Sequence, residues 1–217
     1  MEKVEDTQEE LCLRLWTEYD VQKLSQIRYC KMKEFEPFKQ IYKQILQKPE
    51  IKANAKQAAV AVLFIEVDDQ EPHLVLIERN QYDGHHSGQM ALPGGKMDPT
   101  DQDLRETAAR EVLEEIGVEV DAASLEYITE HWIHVSNYWM TAFSVRLNKK
   151  LSYDLNKREI NRIFEIPVSF FQDPANLQPF EVSYDGNKIL SPSFMYEGNL
   201  IWGATALIMY QLFHGED

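Results

Sequence analysis

Apolar positions change their spacing near Ala58, and that change organises the chain. Before it, Phe38, Ile41, Tyr42, Ile45 and Leu46 recur at i, i+3, i+4, i+7 and i+8, one stripe of a helix. Pro37 suits a first helical turn, and Pro49 is expected to stop the pattern. The earlier stretch through Leu11, Leu15, Trp16, Val21 and Leu24 is less regular and is also read as helical. From Ala58 the run AAVAVLFIEV is nearly continuous and rich in β-branched residues, as in a strand buried on both faces. Turn residues from Asp68 to Pro72 lead into HLVLIER, a partner strand.

Residues Ser87 to Pro99 are irregular, and a helix is predicted from about Asp101 to Ile116. Thr100 is its expected N-cap, and Gly117 suits the left-handed position that closes it. Tyr127–Val135 and Tyr138–Val145 follow as strands joined at Ser136 and Asn137, then Ile160–Pro167 as another. Asp185-Gly186 signals a hairpin, and Leu200–Phe213 reads as a largely buried terminal helix. Strands on either side of one central helix, with helices at both ends, predict an α+β layered domain.

Composition narrows the function classes. A chain of 217 residues, 44% hydrophobic, fits one large domain or a domain with an appendage. The formal charge of −14 argues against binding nucleic acid or an anionic membrane surface. Cys12 and Cys30 form no CxxC pair, so neither a disulfide scaffold nor a cysteine zinc site is expected. The acidic, polar first residues are unlike a targeting segment, and the expectation is a soluble cytoplasmic protein.

The chemistry concentrates in Arg110-Glu111-Val112-Leu113-Glu114-Glu115-Ile116-Gly117. Helical geometry places Ala109, Val112, Leu113 and Ile116 on one arc that can face the core. Glu111, Glu114 and Glu115 share another arc, within reach of a single point above the helix. A solvated acidic face is the plain alternative, but two penalties weigh against it. Glu111 and Glu115 repel at i, i+4, and Glu114 and Glu115 occupy the last turn, where the helix dipole disfavours anions. A hard divalent cation reverses both penalties, since carboxylates are the ligands that Mg²⁺ or Mn²⁺ prefers. Upstream, Leu92-Pro93-Gly94-Gly95-Lys96 can bring backbone close to a ligand without Cβ obstruction, and it is not a Walker A loop.

These residues resemble the Nudix box, G-x5-E-x7-R-E-U-x-E-E-x-G-U with U aliphatic. Arg110, Glu111, Val112, Glu114, Glu115, Gly117 and Val118 match its second half position for position. In the first half Gly95 lies one residue further from Arg110, and Asp101, Gln102 or Asp103 stands where the box has Glu. Leu76-Ile77-Glu78-Arg79 and the run Ser87 to Gly95 are similar to the signature that precedes the box in coenzyme A pyrophosphatases. So are Glu159-Ile160, Phe164-Glu165-Ile166-Pro167 and Ile201 to Ala206, although Gly84 replaces that subgroup's second arginine.

The resemblance implies a Nudix-type α/β/α sandwich with a central mixed sheet over residues 53–217, behind an N-terminal helical extension, 1–52. It implies hydrolysis of a nucleoside diphosphate conjugate with Mg²⁺ or Mn²⁺. The leading substrate is coenzyme A, giving 3′,5′-ADP and 4′-phosphopantetheine. ADP-ribose, NADH or a dinucleotide is the alternative within the family, and a non-catalytic nucleotide-binding regulator the alternative outside catalysis. Glu111 and Glu115 would be the principal metal ligands, with Glu114 sharing a second ion and the Gly95 carbonyl completing the shell. Arg110 would orient the glutamates, and the general base would be a box glutamate or Glu159. Arg79 and Lys96 are candidate phosphate contacts, each with a plain surface role as its alternative. His85 and His86, beside Gly84, are candidates near the 3′-phosphate or ordinary loop residues. Tyr127, Trp132, Tyr138 and Trp139 are expected in the core. The N-terminal helices could pack on the sheet or build a homodimer interface.

Overall fold

A computed structural model describes residues 35–68, 70–80, 88–184 and 186–215. Readings on residues 1–34, both cysteines included, and on 81–87, which hold Gly84, His85 and His86, lie outside the described residues, as do the side chains at 41, 42 and 45.

The apolar run from Ala58 forms the central strand. Strand β1 (Lys56–Ile65) is buried at every residue from Ala58 to Ile65. Its period of two sends alternate side chains to opposite faces. Ala58, Val60, Val62 and Phe64 enter one apolar cluster, and Ala59, Ala61, Leu63 and Ile65 the other. β1 runs parallel to β6 (Tyr138–Leu147) and antiparallel to β2 (His73–Arg79) and β4 (Gly94–Lys96). The remaining strands of this mixed sheet are β3 (Met90–Ala91), β5 (Glu126–Ile133) and β7 (Ile160–Pro167).

Helices cover both faces, which gives the α/β/α arrangement expected from the sequence. Helix α3 (Leu104–Ile116) lays Ala108, Val112 and Ile116 on one face. The other face carries α5 (Gly203–His214), through Ala206, Ile208, Met209 and Tyr210. Short α4 (Val168–Gln172) adds Phe171, and a second, three-stranded sheet adds Phe194. That sheet comprises β8 (Leu177–Tyr184), β9 (Asn187–Tyr196) and β10 (Asn199–Ile201). Tyr184 pairs with Asn187, the hairpin that Asp185-Gly186 signalled. Ahead of β1 lie α1 (Glu36–Leu46) and α2 (Pro49–Asn54). Phe35, just ahead of α1, is fully buried and edge-on against Tyr210 of α5 at 5.5 Å.

Several local expectations change. Pro49 opens α2 rather than only ending the helix before it, because a first-turn proline forfeits no helical hydrogen bond. The N-cap of α3 is Asp103, which accepts from the amides of Arg105 and Glu106 at 2.8 and 3.0 Å. Thr100 instead closes a turn on Asp98. Helix α5 starts later than expected because Leu200 and Ile201 finish β10. Trp139 is buried, whereas Tyr127 is 57% exposed. Gly117 closes α3 at φ 72°.

Candidate active site

The sheet forks where the glycines lie. β1 pairs with β2 only at Phe64 and Ile65, and its first half pairs with β4 through Ala58, Ala59 and Val60. This sets Gly94–Lys96 beside β1, within reach of the side chains on the last turns of α3. A Cβ on Gly94 would fall 2.3 Å from the Ala59 carbonyl oxygen, and its φ is +151°. A Cβ on Gly95 would fall 2.5–2.6 Å from the Glu111 carboxylate. Only glycine lets this backbone lie against both a strand and an acid.

Glu115 does not lie on an outer acidic face. It is 1% exposed, on the inner face of α3 with Ala108, Val112 and Ile116, while Leu113, expected in the core, is 47% exposed. The helix is rotated so that the carboxylate reaches the glycine backbone: Gly94 N–H donates to Glu115 Oε2 at 2.9 Å. Arg79 Nη2 lies 3.1 Å from Glu115 Oε1 and donates to the Gly94 carbonyl at 2.9 Å. Glu115 Oε1 accepts no well-directed hydrogen bond. Burial drives the Glu115 carboxyl up to about 7, reinforced by the charges of Glu111 and Glu159 and opposed by Arg79 and the Gly94 amide.

Arg110 gathers the other acids. Its Nη1 donates to Glu111 Oε1 at 2.9 Å and Glu114 Oε2 at 3.1 Å. Its Nη2 donates to the Lys96 carbonyl at 3.0 Å, and it holds Asp101 through Nε and Nη2 at 2.9 and 3.0 Å. Asp101 thus ties the loop to the helix at the place where the box pattern has Glu. The Arg110 hydrogen bonds hold the Asp101 carboxyl down at about 2. Burial raises the Glu111 carboxyl, with Arg110 opposing.

The three glutamates therefore do not share one point as their spacing suggested. Glu114 is exposed, Glu111 lies against Gly95, and Glu115 turns inward. Among the described residues no three His, Cys, Asp or Glu side chains form a ready-made cage. Arginine pairing separates them: Arg110 draws Glu111 and Glu114 outward while Arg79 and Gly94 hold Glu115. The donor set nonetheless suits a hard cation. A buried carboxylate oxygen accepts no well-directed hydrogen bond, a second carboxylate touches Gly95, and all these ligands are oxygen.

The remaining candidates fall around this centre. Glu159 is exposed in the turn before β7, near enough for its charge to act on Glu115. Lys96 is exposed and lines a cleft of about 290 Å³ with Lys56, Gln57, Met97, Asp98, Pro99 and Asp101. Arg79, a candidate phosphate contact, lies against Glu115 and the Gly94 carbonyl. Strand alternation carried that signal: Arg79 shares parity with Val75 and Ile77, which face α3.

A family model described as the NUDIX domain matches residues 55–180. The chain is 32% identical over 152 residues to NudL of Photorhabdus laumondii, described as an uncharacterized Nudix hydrolase, covering 70% of this chain and 81% of that protein. It is likewise 32% identical over 162 residues to the mitochondrial Nudix hydrolase 15 of Arabidopsis thaliana, of which it spans 56% against 71% of its own length. The crystal structure of a MutT/nudix family protein from Enterococcus faecalis superposes with a TM-score of 0.51 at 15% identity, over 72% of this chain and 60% of that one.

Proposed function

The chain belongs to the Nudix hydrolase family, and we propose that within it this protein is a coenzyme A diphosphatase that uses Mg²⁺ or Mn²⁺. As a pyrophosphohydrolase it cleaves nucleoside diphosphate derivatives; the proposal concerns which derivative and which residues. The observation that carries the site is the juxtaposition of the Glu111 carboxylate, the Gly94-Gly95 backbone and the buried, under-bonded Glu115. The substrate reading rests on the sequence signature around Arg79 and Ser87 to Gly95 and on the elements resembling that subgroup after the box.

Glu111, Glu115 and the Gly95 carbonyl would hold the principal ion, with exposed Glu114 free to share a second. When bound, such an ion neutralises phosphate oxygens and lowers the pKa of a coordinated water. Arg110 keeps Glu111 and Glu114 oriented and locks the loop through Asp101 and the Lys96 carbonyl. Lys96 offers a point charge to the anionic substrate. Glu159, whose charge acts on Glu115, would take a proton from the attacking water as the phosphoanhydride opens. The products are 3′,5′-ADP and 4′-phosphopantetheine.

A substrate panel tests this reading. Coenzyme A, its thioesters, ADP-ribose and NADH are assayed with Mg²⁺, with Mn²⁺ and with chelator. Coenzyme A or a thioester is expected to give the highest kcat/KM, and chelator to abolish turnover. A far higher kcat/KM for ADP-ribose would overturn the substrate assignment.

A further inference from the structure

Arg79 reaches the site from the end of β2, with its guanidinium on Glu115 and the Gly94 carbonyl. It ends β2, where the pairing with β7 slips: Glu78 faces Arg162, Arg79 faces Ile160, and Asn161 is left over as a bulge. The extra residue lies on β7, so Arg79 keeps the parity of Val75 and Ile77. The Asn161 side-chain amide caps Glu78 at 3.1 Å, and Arg79 N–H bonds the Gln89 carbonyl at 3.1 Å, which fixes the strand end. From there the guanidinium reaches under α3.

What it grips there forms a closed set. The Gly94 peptide groups are held at both ends, the N–H by Glu115 Oε2 and the C=O by Arg79 Nη2, and the same nitrogen faces Glu115 Oε1. The Gly94 carbonyl belongs to the peptide plane that leads into Gly95, so its direction sets how the Gly95 backbone is presented. Glu115 is nearly without solvent to reorganise around it.

We propose that Arg79 is a positioning residue for the cation site, holding Glu115 and the Gly94-Gly95 peptide in the mutual arrangement that ion binding uses. It acts through Glu115, not by gripping the substrate phosphate. The inference rests on the metal-site reading above. A ligand set held in place by neighbouring groups binds more tightly than one that must be ordered on binding, and outer partners of ligands typically change metal affinity 10- to 100-fold.

The test uses the full chain with Arg79→Met and Arg79→Lys. Mn²⁺ affinity is measured by calorimetry without substrate, and kcat and KM with saturating Mn²⁺. For Arg79→Met the Mn²⁺ Kd is expected to rise about tenfold or more, with kcat lowered and KM within about twofold of wild type. Arg79→Lys, which keeps the charge but loses the fork, is expected to recover part of the affinity. Unchanged Mn²⁺ affinity with a raised KM would overturn the inference and make Arg79 a substrate contact; no change in either would overturn it too. If Arg79→Met fails to fold, Arg79→Lys carries the test, with an intermediate rise in Kd expected and an unchanged Kd contradicting it. Wild-type protein that takes up no Mn²⁺ overturns the metal reading and this inference together, whereas normal uptake by the variants overturns this inference alone.

Discussion

Replacing Glu115 with glutamine is expected to stabilise the ion-free protein while disabling turnover. The carboxyl is raised from 4.5 to about 7 by burial, at a residue 1% exposed. The sign follows from proton binding. Between pH 4.5 and 7 the folded chain holds this proton and the unfolded chain does not, so stability falls as pH rises through that window. Above pH 7 the penalty levels off at about 3 kcal/mol, and below 4.5 it vanishes. Glutamine removes it and still accepts from Gly94 N–H, but gives up the charge facing Arg79. A net gain of about 1–2 kcal/mol at pH 8 is therefore expected, or a few degrees in Tm. Thermal melts with chelator at pH 8 and pH 5 read this directly, with the gain confined to pH 8. Loss of a principal ligand is worth several kcal/mol of barrier, so kcat should fall on the order of 10³-fold. A lower Tm at pH 8 would refute the picture of a strained buried acid, and near-normal turnover would refute its role as a ligand.

The two glycines separate function from folding. In Gly95→Ala the atoms nearest the new Cβ are those of the movable Glu111 carboxylate, so kcat is expected to drop at least about tenfold with stability nearly kept. In Gly94→Ala it meets the Ala59 carbonyl and the β1 backbone, so urea unfolding should show a loss of about 1–3 kcal/mol or more. Asp101→Asn weakens the charge-assisted grip on Arg110 and is expected to lower stability at pH 7 by about 1.5–3 kcal/mol. Because the Asp101 carboxyl is held below its ordinary value, that contribution is present above pH 3.8 and fades as pH falls through about 2. A chemical-denaturation series across pH checks both the size and the window. Glu159→Gln is expected to lower kcat on the order of 10²-fold with KM unchanged; a near-normal kcat would return the base to a box glutamate.

Much of the fold was legible because single elements carried unambiguous patterns. The continuous apolar run from Ala58 to Ile65, short and carrying Val60, Val62 and Ile65, points to a strand covered on both faces. Gly117 marked the end of α3 by its left-handed geometry. The site was legible in residue identity more than in arrangement. Helical spacing grouped Glu111, Glu114 and Glu115, but the register of α3 on the sheet is a tertiary matter, and it turned Glu115 inward and Leu113 outward. Periodicity favours the most apolar arc, and it could not foresee that a glycine backbone and an arginine on another strand would offer Glu115 partners. Asp103 displaced Thr100 as the cap because Asp98 and Asp101 had already folded Thr100 into a preceding turn. Among the described residues no helix is long and apolar enough to cross a membrane.

If the acidic end of α3 and the glycine backbone beside it hold the divalent cation, the ion must be visible there. Anomalous diffraction from crystals soaked in Mn²⁺ tests it most directly. The expected result is a manganese peak bonded to Glu111, Glu115 and the Gly95 carbonyl, lost in Glu115→Gln. A peak elsewhere, with Glu115 still turned to Arg79 and no ion on its oxygens, would contradict it.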